Sequence, residues 1–185
     1  MDVINQAAHV LKDGGTILYP TETVWGIGCL SNQPKAVDKI FAIKKRAKNQ
    51  KFILLLGNDL KLRNYVQEIP EIAWDLIDFS EKQPTIIYPN AKNLPDELIS
   101  QDGSIAIRIV KNNQITPLLN KVNFPLISTS ANVSGAKTPT SLKEVSSEIL
   151  SKVDFIVDLP DNNGSNRPSS IIKLQTNGEI KIIRK

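Results

Sequence analysis

Apolar residues recur along the chain with two periods, and the switches between them mark out its elements. Val3, Ile4, Ala7, Ala8 and Leu11 keep helical spacing, and Gly14-Gly15 closes that segment before the apolar run Thr16 to Tyr19. The pattern predicts helix, turn and strand. Pro34 at a first-turn position, followed by Val37, Ile40 and Phe41 on one stripe, predicts a second amphipathic helix running towards Lys44. "KFILLLG" (51–57) then reads as a short strand buried on both faces.

Helical stretches are expected at 60–67 and 70–79, a strand at "PTIIYP" (84–89), and a loop or short helix at 94–102. "SIAIRIV" (104–110) alternates Ile105, Ile107 and Ile109 against Ala106, Arg108 and Val110, which turns Arg108 away from the isoleucine face. A helix at 116–121, a strand at 124–128 and a helix at 142–150 capped by Ser141 follow, then the strand "DFIVDL" and a polar loop at 161–167. Asn177-Gly178 between two β-rich runs is a hairpin signal. Strands interleaved with helices and a closing hairpin predict an α/β fold with a mixed sheet, as one domain spanning residues 1–185.

Composition supports that size: 185 residues, 41% hydrophobic, suffice for one core without a covalent staple. The single cysteine, Cys29, excludes an internal disulfide framework and reads as a small buried hydrophobe. The first residues lack a signal-peptide pattern, and no apolar run approaches the about 18 residues of a membrane span, so a soluble cytoplasmic protein with no membrane partner is expected. Net charge is only +4, but Lys39 to Lys51 holds six basic residues and no acid, suited to an anionic ligand.

One histidine, His9 on a helix edge, rules out Ser-His-Asp and Cys-His catalysis and a multi-histidine metal site. The P-loop pattern is absent, and "GIGCLS" (26–31) lacks the third glycine of a dinucleotide fingerprint, so Gly26 and Gly28 are read as a tight turn. What remains is a set of cations and hydroxyls fit to hold a phosphorylated ligand. Lys44 and Arg46 would diverge by about 200° on a regular helix and share a side only if the helix ends near Lys44. The competing reading is a solvated basic helix end favoured by the macrodipole. In "LISTSANVSG" (126–135), Ser128, Ser130 and Asn132 repeat the two-residue spacing, with Thr129 and Ala131 opposite. The stretch is either a polar turn or one wall of a cleft that faces Lys44 and Arg46.

"YPTETVWGIGC" (19–29), "FAIKKR" (41–46), "SIAIRI" (104–109), "STSANVSG" (128–135) and "PSSIIKL" (168–174) together resemble the YrdC/Sua5 family in its short, TsaC-like form. The resemblance covers most of the chain in order. It implies a YrdC-like fold, a twisted mixed parallel/antiparallel sheet with flanking helices and a concave basic cleft. It also implies threonylcarbamoyl-AMP synthesis from L-threonine, bicarbonate and ATP for transfer-RNA modification, with Mg²⁺ accompanying the nucleotide. The product would pass to a threonylcarbamoyl transferase complex.

Residue by residue, the family's K-x-R falls on Lys44 and Arg46 and its S-x-N on Ser130 and Asn132, a phosphate-facing catalytic tetrad. Lys48, Ser104, Thr138 and Arg184 match further nucleotide-side positions. Thr21, Ser128 and Ser169 match threonine-side positions, and Arg108 the arginine expected to pair with the substrate carboxylate. The chain departs from the family at "EKQPT", which keeps Thr85 but loses the preceding prolines and glycine. It departs again at "QKFI" and at Leu55, where some members carry a histidine. The resemblance leaves two other readings: with the basic cluster, a double-stranded RNA- or tRNA-binding module without synthase activity, and carbamoyl transfer of the kind found in hydrogenase maturation factors, whose additional zinc-finger and acylphosphatase modules do not occur in this sequence.

Overall fold

The computed structural model describes residues 2–22, 24–111, 113–160 and 168–185; the loop expected at 161–167 lies outside them. Among the described residues the α-helices are α1 (Val3–Lys12), α2 (Pro34–Lys44), α3 (Ile72–Phe79), α4 (Thr116–Lys121) and α5 (Ser147–Leu150). The strands are β1 (Ile17–Pro20), β2 (Trp25–Leu30), β3 (Ile53–Leu56), β4 (Thr85–Tyr88), β5 (Ile105–Ile109), β6 (Leu126–Ser130), β7 (Phe155–Ile156), β8 (Ile171–Leu174) and β9 (Ile180–Arg184). Among the described residues they form one sheet in the order β7-β1-β2-β6-β3-β5-β4-β8-β9. Pairs β1/β7, β3/β5 and β4/β8 are parallel and the other five antiparallel, which makes the sheet mixed as expected.

Side-chain alternation divides the core between the two faces of this sheet. Cys29, Leu54, Ile86, Ile105, Ile107, Ile109 and Ile127 pack against Val37, Ile40 and Phe41 of α2 and Ala73 and Ile77 of α3. On the opposite face, Ile17, Tyr19, Leu30, Leu55 and Leu126 pack against Ala7, Ala8 and Leu11 of α1 and Leu118 and Leu119 of α4. A smaller cluster joins Leu18, Trp25, Ile27 and Ala131 to Ile43 and to Ile149 of α5. Helices α1 and α4 cover one end of their face. The rest of that face, over β6, β3, β5, β4 and β8, stays open as the floor of a cavity.

Gly26 and Gly28 do not form a tight turn; both lie inside the fully buried strand β2. A Cβ on Gly28 would stand 2.2 Å from the Ile127 carbonyl oxygen, and one on Gly26 would stand 3.0 Å from the Tyr19 ring. The glycines answer to close strand approach rather than to chain reversal. The strand expected at 124–128 is shifted to Leu126–Ser130, because pairing with β2 holds the hydroxyl-rich segment extended up to the Gly26↔Ser130 register. The helix expected at 142–150 is broken into a 3₁₀ turn (Leu142–Glu144) and α5, with Val145 extended between them. Ser141 makes no side-chain cap there; instead the Thr140 backbone N–H and hydroxyl donate to Glu144 Oε2 at 2.7 and 3.0 Å. Of "DFIVDL" only Phe155 and Ile156 are strand. Among the described residues no helix is long and apolar enough to cross a membrane.

Candidate functional site

Helix α2 ends where the two-residue spacing of Lys44 and Arg46 requires. Lys45 takes a left-handed conformation (φ 49°), its N–H donating to Ala42 O at 3.1 Å and that of Arg46 to Phe41 O at 3.0 Å. A left-handed non-glycine residue costs roughly 1–2 kcal/mol. Val37, Ile40 and Phe41 are buried, and each such side chain contributes about 1.5–3 kcal/mol, so packing outweighs the strained end.

Past that bend the two cations separate. The Lys44 ammonium is buried and donates to Ser130 O at 2.5 Å and Asn132 O at 2.6 Å, while Lys44 O accepts from Ser134 N at 3.0 Å. Helix end and strand end are thus tied directly, in contact rather than across a cleft. Burial, and then the charge of Arg46, push the Lys44 pKa down to about 8. Ser130 Oγ donates to Asn132 Oδ1 at 2.5 Å, and Asn132 Nδ2 donates to Ala136 O at 2.6 Å, so the Asn132 amide serves the loop it begins. Arg46 turns instead to Thr129 Oγ1 at 3.2 Å, to Gln50 O and Lys51 O, and lies over the Phe52 ring at 5.0 Å. Thr129, on the side opposite the serines, shares the α2 face with Ile127, the side from which Arg46 arrives.

The cavity, about 1020 Å³, gathers residues from both ends of the chain. Of the residues singled out in the sequence, Thr21, Arg46, Ser104, Arg108, Ser128, Ser130, Thr138, Ser169 and Arg184 line it. Lys44 and Asn132 stand behind Ser130. Lys48 lies away from the cavity and pairs with Asp38 at 2.7 Å on the surface. Lining cations are Arg46, Lys51, Arg108, Lys173 and Arg184, against the carboxylates Glu22 and Asp102, so the cavity favours an anionic ligand. The outer cations of the basic run are met by acids: Lys39 by Asp154 at 2.7 Å and Lys45 by Glu148 at 3.0 Å.

Thr21 Oγ1 donates to Val24 O at 2.6 Å, closing the β1–β2 turn. Ser128 Oγ accepts from the buried Tyr19 hydroxyl at 2.6 Å, which leaves the serine proton for another acceptor. Burial holds the Tyr19 hydroxyl well above the usual phenol range, so it remains a donor. Ser104 donates to Asp102 Oδ1 at 2.6 Å while Lys173 donates to Asp102 Oδ2 at 2.6 Å; these bonds, Lys173 first, hold the Asp102 carboxyl down to about 2. Ser169 is tied to Thr85 Oγ1 at 2.8 Å, and its carbonyl accepts from Arg184 Nε and Nη2 at 2.9 and 2.7 Å, so β4, β8 and β9 meet at one wall.

Arg108 is buried on β5 beside Leu55, its register partner on β3, and it pairs with Glu22. Glu22 was not singled out in the sequence. The available signal was that it is the one acid between Asp13 and Asp38, inside "PTET". Thr129, Lys51 and Lys173 also line the cavity, and they were missed because each reaches it through tertiary packing, which no local motif records.

A mixed sheet with a cationic cavity on its open face, floored by hydroxyls at the end of β6, defines the class. The family model described as telomere recombination, covering Sua5, YciO and YrdC, matches residues 9–185, and the chain belongs to that family. At closer range it is 36% identical over 180 residues to a threonylcarbamoyl-AMP synthase of Pseudoalteromonas translucida (strain TAC 125), covering 96% of this chain and 95% of that one. It is 34% identical over 189 residues to the enzyme of the same name from Wigglesworthia glossinidia brevipalpis, covering 100% and 92%. Among solved structures, P. abyssi Sua5 complexed with L-threonine superposes with a TM-score of 0.80 at 28% identity, over 92% of this chain and 50% of that one. E. coli YciO, at 23% identity and TM-score 0.84, shares the fold over 99% and 88%.

Proposed function

We propose that this chain is a threonylcarbamoyl-AMP synthase, converting L-threonine, bicarbonate and ATP to threonylcarbamoyl-adenylate and pyrophosphate in the cytoplasm. The observation that carries the reading is one cavity lined both by Arg46, Ser104, Ser130, Thr138 and Arg184, the nucleotide side, and by Thr21, Arg108, Ser128 and Ser169, the amino-acid side. The relatives' names and the threonine bound to a Sua5 homologue support the same substrates.

In this reading the deprotonated threonine nitrogen bonds to the bicarbonate carbon with loss of water, an oxygen of the resulting carbamate attacks the α-phosphorus, and pyrophosphate leaves. Such chemistry rests on alignment and charge neutralisation. Arg46 and Arg184 neutralise phosphate charge, while Thr138 donates to phosphate or ribose oxygens and Ser130 does so once its hydroxyl turns from Asn132 Oδ1. Lys44 acts from behind, adding positive charge and holding the Ser130–Asn132 segment extended. Arg108 takes the threonine carboxylate, and Thr21 and Ser128 face its hydroxyl side. The magnesium ion enters on the phosphates of ATP, as part of the substrate. Among the described residues no three His, Cys, Asp or Glu side chains group to hold a metal, and Glu22 and Asp102 are already paired with Arg108 and Lys173. The product would then pass to a threonylcarbamoyl transferase complex acting on tRNA. The RNA-module reading draws less support, since the outward lysines it would use are those paired with Asp154, Glu148 and Asp38.

The test is pyrophosphate release with ATP, bicarbonate and L-threonine. Release that requires all three is expected, and release indifferent to threonine would refute the proposal. Arg46→Ala removes a charge-assisted contact worth about 1.5–3 kcal/mol, so turnover should fall roughly 10- to 150-fold.

A further inference from the structure

The Arg108 site already contains a carboxylate. Glu22, from the turn between β1 and β2, places Oε1 on Arg108 Nη2 and accepts at Oε2 from Asn113 Nδ2 at 2.8 Å. Asn113 is itself fixed at the start of α4: its Oδ1 accepts from Ile115 N at 3.0 Å, and its own N–H donates to Thr116 Oγ1 at 3.0 Å. Glu22 is therefore held from the segment that leads into α4 as well as by the cation it neutralises.

Both charges keep unused capacity. A carboxylate offers about four acceptor positions and a guanidinium five N–H donors. Among the described residues Glu22 uses one bond at each oxygen and Arg108 donates through Nη2 alone, with Nε buried and without a partner. Arg108 and Glu22 both line the cavity, and the Glu22 side chain is 35% exposed towards it.

A neutral pair is a poor receptor for a simple carboxylate, because the anion that Arg108 attracts is repelled by Glu22. It suits a ligand that carries both charges on adjacent atoms. We propose that Arg108 and Glu22 form a zwitterion receptor, in which Arg108 takes the α-carboxylate of the amino acid and Glu22 its α-ammonium group. The inference rests on the threonine reading above and adds to it a residue that selects a free amino acid over other hydroxy acids. It also places an anionic acceptor beside the nitrogen that must lose its protons before it is carboxylated.

The experiment is calorimetric titration of the full chain, bicarbonate withheld, with L-threonine and with 3-hydroxybutyrate, which keeps the carboxylate and the hydroxyl but lacks the amino group. The readout is the ratio of the two dissociation constants. The wild type should prefer threonine at least about ten-fold, the scale of one charge-assisted hydrogen bond. Glu22→Gln, close in shape but uncharged, should bring the ratio towards 1. Asn113→Ala, which loosens Glu22 without discharging it, should give an intermediate value. A wild-type ratio near 1 overturns the receptor whatever the variants do. So does a Glu22→Gln chain that binds both ligands more tightly by one factor, since Glu22 would then be only a stand-in displaced by any carboxylate. Absence of threonine binding to the wild type would overturn the functional reading together with the inference, whereas binding with an unmoved ratio overturns the inference alone.

Discussion

The Lys44 ammonium is a buried cation held by two carbonyl oxygens rather than by a carboxylate, and its charge is correspondingly cheap to remove. Its folded pKa, about 8, lies below the ordinary 10.5. Between these values the unfolded chain binds the extra proton, so stability rises with pH across that window, and below about pH 8 the folded state carries the full cost of the charge. Activity moves the other way: pyrophosphate release should fall above about pH 8 as Lys44 discharges. Lys44→Arg, which stays protonated, should lose that alkaline limb even if its overall rate is lower. A pH–rate profile of the two proteins checks this. Tyr19 gives a second residue-level expectation. Tyr19→Phe removes the hydroxyl that donates to Ser128, costing about 1 kcal/mol, or roughly 2–4 °C in Tm for a domain of this size, and should raise the threonine KM.

Elements β2 and α2 owe their shape to single residues. Gly28→Ala would drive a methyl group into the Ile127 carbonyl, a backbone atom that cannot step aside without unpairing β2 from β6. Destabilisation of about 3 kcal/mol or more is expected in urea unfolding. Lys45→Gly acts in the opposite sense. It relieves the left-handed end of α2 and loses only the exposed pair with Glu148, so a net gain of about 0.5 kcal/mol is expected in the same assay. Cys29, also on β2, is fully buried with its thiol pushed up to about 12, and it should react with thiol reagents only as fast as the strand opens.

At the scale of the whole molecule, one cavity draws its walls from the β1–β2 turn, the end of α2, the middle of the sheet and the closing hairpin. Ligands at its two ends share a floor and a counter-charge field. ATP and threonine together should therefore raise the melting temperature beyond either alone. A ligand at 100 times its dissociation constant adds about 2.7 kcal/mol, roughly 5–11 °C for a domain of this size.

Periodicity alone located α1, α2, β3, β4, β5 and the hairpin, because each carries its own signal: a stripe at helical spacing, an apolar run or an Asn-Gly turn. Alternation along β5 already turned Arg108 from the isoleucine face. Of the twelve candidate side chains nine line the cavity, seven of them from the ordered blocks. Register and long-range contact decided the rest. Gly26 and Gly28 look like turn residues until β6 and Tyr19 are brought against them, and Thr129 gains a role only when α2 delivers Arg46 to its face. Lys48 shares the basic run with Arg46 but pairs with Asp38, since it lies in the turn that Gln50 N closes on Ala47 O, beyond the residue that enters the cavity. Glu22 meets Arg108 across 86 positions of sequence. Local order is written in neighbouring residues; the pairing of distant charges is a property of the sheet that carries them.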